Sequence, residues 1–167
     1  KHDRIVSVSG YLLDPPGPAL IAEYVDGRTV RELGPTLRGN LAACQKILAD
    51  MLDALEYAHQ RNVLHRDISP SNIIVDADDR ATLIDFGVAT DDADRSVVGT
   101  LPYQAPEIAA GLSWSPVADL YSLAVVCFEA LTGRLPYQID GQLSNKHQLV
   151  RPTAVEVKAA GGTGLLD

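Results

Sequence analysis

The sequence predicts an α+β chain, mostly helical, with two short pieces of sheet. Three patterns carry this. Apolar residues recur at three- and four-residue steps from Leu41 to Leu55, the spacing of one helix face. Residues 117–131 are apolar almost all round, the mark of a buried helix. Short apolar runs bounded by turn residues read as strands.

In chain order, Ile5-Val6-Ser7-Val8-Ser9 alternates apolar and polar, as a half-buried strand does. Asp14-Pro15-Pro16-Gly17-Pro18 is a turn, and residues 19–25 form a second strand. Thr29 caps a short helix over residues 30–33, which Gly34-Pro35 ends. Asn40 caps the next helix, whose stripe is Leu41, Cys44, Ile47, Leu48, Met51, Leu52 and Leu55. That helix ends near Gln60, with Asn62 as a left-handed stop. Residues 73–76 and 81–84 form a hairpin across the polar turn Asp78-Asp79-Arg80. Residues 91–95 are a polar, mobile loop. Ser115-Pro116 opens the buried helix and Gly133 closes it. After Gln138 the pattern weakens, and Arg151-Pro152-Thr153 reads as a loop.

The chain has 167 residues, about one domain, and its 46% hydrophobic content is enough for a core. A net charge of −8 disfavours a nucleic-acid partner. Cys44 and Cys127 both fall in apolar helical patterns and read as reduced core residues. No signal peptide is visible and no apolar run approaches membrane-spanning length, so the expected location is cytoplasmic.

The chemistry concentrates in His65-Arg66-Asp67-Ile68-Ser69-Pro70-Ser71-Asn72 and in Asp85-Phe86-Gly87. Asp67 and Asn72 lie on a loop entering the hairpin, and Asp85 lies where the hairpin ends. The two strands therefore return both acidic sites to one edge. Such an edge suits phosphoryl transfer, which needs a carboxylate to orient a hydroxyl and hard oxygen ligands for magnesium. Read alone, Asp, Asn and Asp-x-Gly are also what turns use for local backbone hydrogen bonds.

These blocks resemble the catalytic loop and magnesium motif of the eukaryotic-type (Hanks-type) protein kinases. Gly99-Thr100 and Tyr103-Gln104-Ala105-Pro106-Glu107 resemble the end of an activation segment. Asp119-Leu120-Tyr121-Ser122-Leu123 resembles the start of the long buried helix of the large lobe. Ala22-Glu23-Tyr24-Val25-Asp26-Gly27 resembles the hinge that receives adenine. The blocks come in family order over residues 2–137, in a style closest to bacterial Ser/Thr kinases.

The resemblance implies a protein-kinase-like fold, with the end of the small-lobe sheet and the hinge in residues 1–25 and a helical large lobe in 26–167. It implies that the glycine-rich loop, the strand lysine and its partner helix lie outside this chain, which alone would transfer phosphate weakly or not at all. The expected activity is that of an ATP-dependent protein serine/threonine kinase. The alternative is a pseudokinase, a regulatory or scaffold module that binds nucleotide or a partner protein without catalysis. A small-molecule phosphotransferase ranks third.

By the same resemblance Asp67 orients the substrate hydroxyl, and Asn72 and Asp85 hold Mg2+, with Asp85 bridging it to the phosphates of ATP. Thr100 hydrogen-bonds Asp67 and favours Ser or Thr substrates. Ser69 stands where the family carries a lysine reaching the transferring phosphate, and serine supplies no such charge. Glu23 and Val25 offer backbone groups to adenine, Ile74 an apolar floor, and Ala22 falls at the gatekeeper. His65, Phe86 and Val8 belong to the apolar column joining the lobes. Arg66 would bind a phosphate on Ser96 or Thr90. Asp119 would be satisfied by backbone N–H groups of the catalytic loop. The usual arginine partner of Glu107 lies outside the chain. The implied partners are a protein substrate and a regulatory protein.

Overall fold

The structure, a computed structural model, describes residues 1–13, 19–86, 100–139 and 142–143. Two long helices form its centre. Helix α2, Leu41–His59, starts where Asn40 Oδ1 accepts the Ala43 N–H at 3.1 Å. Its inner face is Cys44, Ile47, Met51, Ala54, Leu55 and Ala58, three and four residues apart. Leu52, expected in this stripe, is 43% exposed, and Ala54 and Ala58 take inner positions instead, which the three- and four-residue steps from Met51 and Leu55 continue. Met51 and Leu55 are 1% exposed, and burying each contributes roughly 1.5–3 kcal/mol. Helix α4, Pro116–Thr132, has Pro at its first turn and ends on Gly133 in the left-handed conformation, φ 76°. It packs on α2 through Leu123 and Val126.

Helix α1 runs Val30–Leu37, four residues past the expected stop. Thr29 and Glu32 form a reciprocal capping box, which fixes its start. Pro35 removes one N–H, yet the helix continues because Leu37, 5% exposed, is drawn into the core. Here tertiary burial overrides the Gly-Pro signal.

The strands are short. Strand β1, Val8–Leu12, pairs antiparallel with β2, Ala19–Ala22, through a bulge between Val8 and Gly10. Both expected spans shift. Residues 4–6 instead run beside Leu83, with Val6 N–H donating to Leu83 O at 3.0 Å and Leu83 N–H to Arg4 O at 2.9 Å. Past Ala22 the ladder ends with Glu23 N–H on Ser7 O at 2.9 Å, and the chain leaves the sheet. A second sheet has the order β3 (Arg28–Thr29), β4 (Ile73–Val75), β5 (Ala81–Leu83). Strand β3, two residues long, has no sequence signal of its own. Arg4 and the Ala81 N–H share Asp50 of α2, at 3.1 and 2.8 Å, which ties the N-terminal segment to both helix and sheet. A 3-10 turn over Leu101–Tyr103 and the short helix α3, Pro106–Ala109, precede α4. A small antiparallel pair, β6 (Gln138–Ile139) and β7 (Gln142–Leu143), follows it. The loops expected at 14–18, 91–95 and 151–153 lie outside the described residues.

Candidate active site

The loop between α2 and β4 is held from below by Asp119. This carboxylate is 1% exposed and accepts the backbone N–H of His65 at 2.9 Å and of Arg66 at 3.0 Å. His59 Nε2 completes it at 2.9 Å, on the same oxygen as His65 N–H. A buried carboxylate needs such donors, and three of them satisfy it. The loop therefore hangs from a residue more than 50 positions away in sequence, as the family resemblance implied. Arg66 takes a left-handed backbone, φ 67°, which turns the chain sharply between His65 and Asp67.

Asp67 is gripped on both oxygens. Oδ1 accepts the Thr100 N–H at 2.8 Å and the Thr100 hydroxyl at 2.9 Å. Oδ2 accepts Asn72 Nδ2 at 3.0 Å, and the same amide nitrogen also donates to the Asp67 carbonyl at 2.8 Å. The half-buried carboxylate is thereby fixed in orientation. The Asn72 amide nitrogen is thus used up, which leaves its carbonyl oxygen as the group available to a cation.

The hairpin brings the second acidic site alongside. Ile73 pairs with Leu83, and Ile84 N–H donates to Asn72 O at 2.9 Å, so Asn72 lies opposite the residue before Asp85. Asp85 is exposed and takes φ 54°, an uncommon conformation for a residue other than glycine, where strand β5 has ended. Among the described residues no three His, Cys, Asp or Glu side chains form a metal cluster. Asn72 and Asp85 are hard oxygen donors, and magnesium takes few protein ligands with water and phosphate oxygens completing its shell, so this pair fits that ion.

His65 is fully buried. Its Nε2 donates to Ile84 O at 2.9 Å and its Nδ1 accepts the Asp67 N–H at 3.2 Å, which makes it the neutral tautomer with the proton on Nε2. Burial pushes its pKa down, and hydrogen bonding to Ile84 with the nearby carboxylates only partly opposes this. Its ring meets Phe86 at 4.7 Å between centroids, and Phe86 in turn lines a cavity with Val8. Ser69 is 2% exposed, and its carbonyl accepts the Asn72 N–H at 3.0 Å.

On the hinge side Gly27 passes so close to β4 that a Cβ there would stand 2.5 Å from Val75 O and 2.7 Å from Ile74 Cγ2. This approach seats the end of the segment bearing Glu23 and Val25 directly on Ile74. Ser7 N–H donates to the Glu23 carboxylate at 3.0 Å. Ser96 and Thr90, the expected phosphate acceptors for Arg66, lie outside the described residues.

Three supporting contacts had no signal in the sequence. These are His59 on Asp119, Arg31 Nε on Ser71 Oγ at 2.7 Å, and the Tyr103 hydroxyl on Glu129 Oε2 at 2.7 Å. Each joins residues far apart in the chain with no shared periodicity. Tyr103 keeps its proton far into the alkaline range, chiefly through burial and then through Glu129.

The protein kinase domain family matches residues 1–161, so the chain belongs to the protein kinase family, over a longer span than the motifs alone suggested. Members of this family generally use ATP and Mg2+. Serine/threonine-protein kinase PknB of Mycobacterium tuberculosis is 36% identical over 173 residues, covering 95% of this chain and 28% of its own length. PknB of Mycobacterium leprae is 39% identical over 145 residues, covering 81% and 23%. The probable serine/threonine-protein kinase PknB of Bifidobacterium longum is 35% identical over 153 residues, covering 86% and 22%. The chain thus spans about a quarter of the length of these relatives. No helix among the described residues is long and apolar enough to cross a membrane.

Proposed function

We propose that the chain is the hinge and large lobe of an ATP-dependent protein serine/threonine kinase. The observation that carries this is Asp67, half-buried and clamped by Thr100 and Asn72, beside an Asn72–Asp85 pair suited to magnesium. In this reading Asp67 accepts the proton of the substrate hydroxyl as that oxygen attacks the terminal phosphorus. Thr100 keeps the carboxylate pointed at that hydroxyl. Asn72 Oδ1 and the Asp85 carboxylate would hold Mg2+, which would supply charge stabilisation at the phosphates. Glu23 and Val25 offer backbone groups to the adenine, with Ile74 beneath it. Ser69 brings no positive charge, so charge neutralisation rests on the metal and on other donors. The substrate is a protein bearing Ser or Thr, and a regulatory protein is the second expected partner.

The test is transfer from γ-radiolabelled ATP with Mg2+, on a protein carrying this chain with the upstream segment that the family resemblance implies. Label appearing on serine and threonine, and lost in Asp67→Asn, is the expected result. No label despite intact Mg-ATP binding contradicts the reading.

A further inference from the structure

Helices α2 and α4 pack antiparallel, and a hydrogen bond at each end sets their alignment. At one end Gly39 N–H, just before α2, donates to Leu131 O near the end of α4 at 2.9 Å. At the other, His59 of α2 meets Asp119 of α4. About one turn in from the Gly39–Leu131 bond, each helix carries a cysteine. Cys127 lies four residues before Leu131, on the same face of α4. Cys44 lies at the start of α2, on its inner face, and is 6% exposed. These are the two cysteines of the chain, and both are free thiols.

The side chains agree with this alignment. Cys44 Sγ lies 3.7 Å from Leu37 O, so it stands beside the turn that Gly39 fastens to α4. Cys127 is partly buried and packs against the same core cluster to which Cys44 belongs. The two thiols also feel each other. Burial pushes Cys127 up to about 12, and the neighbouring Cys44 adds to that shift. Burial raises Cys44 as well. Phosphoryl transfer at Asp67 uses neither sulfur.

We propose that Cys44 and Cys127 are an oxidisable pair that closes into a disulfide, a reversible staple between α2 and α4. The oxidant is a small hydroperoxide. Cys127, the more open thiol, loses its proton and its sulfur attacks one peroxide oxygen. The O–O bond breaks, and the other oxygen leaves as hydroxide, which the lost proton converts to water. The Cys44 sulfur then attacks the resulting sulfenic acid. The S–S bond forms, the S–O bond breaks, and the hydroxide leaves as a second water with the Cys44 proton. Both sulfurs are oxidised and the peroxide is reduced. Because burial disfavours the thiolates, the first step is slow, and the pair answers sustained exposure rather than a brief pulse. The ring so closed contains Asp67, Asn72, Asp85 and Thr100, and it restricts the unfolded chain.

The test treats the 167-residue chain with excess hydrogen peroxide in native buffer, blocks free thiols and maps the peptides without reduction. The expected product is a peptide joining Cys44 to Cys127 within one chain, with a raised urea midpoint. Dithiothreitol returns both thiols and the original midpoint. In Cys127→Ser, shown folded by circular dichroism, peroxide leaves the midpoint unraised. Two unmodified thiols after prolonged exposure, a sulfinic acid on either cysteine in place of the link, or a link only between chains overturns the proposal. So does a link that forms only in urea, or one that leaves the urea midpoint unchanged or lower. The readout needs no ATP, so its failure leaves the kinase reading untouched.

Discussion

Thr100 donates both its backbone N–H and its hydroxyl to a single oxygen of Asp67, at 2.8 and 2.9 Å. The two residues are 33 positions apart, and the segment that carries Thr100 is thereby pinned to the catalytic loop. A double donation of this kind fixes a carboxylate's rotation, which a single contact does not.

Replacing Thr100 by alanine keeps the backbone donor and removes the hydroxyl. Loss of one charge-assisted hydrogen bond of about 1.5–3 kcal/mol predicts a fall in kcat of roughly ten- to hundred-fold, with KM for ATP little changed. Thr100→Ser restores most of the rate. Steady-state kinetics on the three proteins decide it, and an unchanged kcat in Thr100→Ala contradicts the clamp.

Asp119→Ala leaves the N–H groups of His65 and Arg66 without their acceptor, in a place water barely reaches. Each orphaned donor costs about 1–3 kcal/mol, so urea unfolding is expected to show a loss of roughly 2–6 kcal/mol. Asp119→Asn keeps an acceptor oxygen and loses less.

Gly27→Ala tests the approach of the hinge to β4. The new methyl meets the Val75 carbonyl, which is backbone and has little freedom to move. The expected cost is about 1–3 kcal/mol of stability, together with weaker ATP binding because the hinge lifts off Ile74. Calorimetric titration with ATP reads the second effect.

His65 makes stability depend on pH. Burial lowers its pKa below the ordinary 6.5, so the unfolded chain takes up a proton that the folded chain refuses. The contribution is therefore constant above 6.5 and is lost as pH falls from 6.5 towards the lower folded value. Urea midpoints should hold steady above about pH 6.5 and drop as the pH falls below it, and His65→Phe should flatten that drop despite its lower stability overall. Equal slopes in the two proteins contradict the neutral, buried state of His65.

Helices α2 and α4 were legible because their caps and apolar spacing are local signals: Asn40, Gly133 and the inner face from Cys44 to Leu55. The left-handed Asn62, φ 58°, was equally so. What was not legible depended on distant partners. Leu37 pulls α1 past Pro35 only because a core exists for it to enter. Strand β3 exists only because Val75 and Ile74 offer it an edge. In the site, the motif spacing placed Asp67, Asn72 and Asp85 together, and the hairpin register brings Asn72 beside Asp85. The Arg31–Ser71 and Tyr103–Glu129 bonds lay beyond any spacing rule, since each joins elements brought together by the packing of α1 and α4.

The most direct test compares initial rates of phosphoryl transfer by this chain joined to a kinase small lobe, with and without Asp67→Asn, and Mg-ATP affinity measured on both. The account predicts unchanged affinity and a rate at least about a hundred-fold lower, because a neutral amide orients the hydroxyl without accepting its proton. An Asp67→Asn protein that transfers phosphate at the wild-type rate would contradict it.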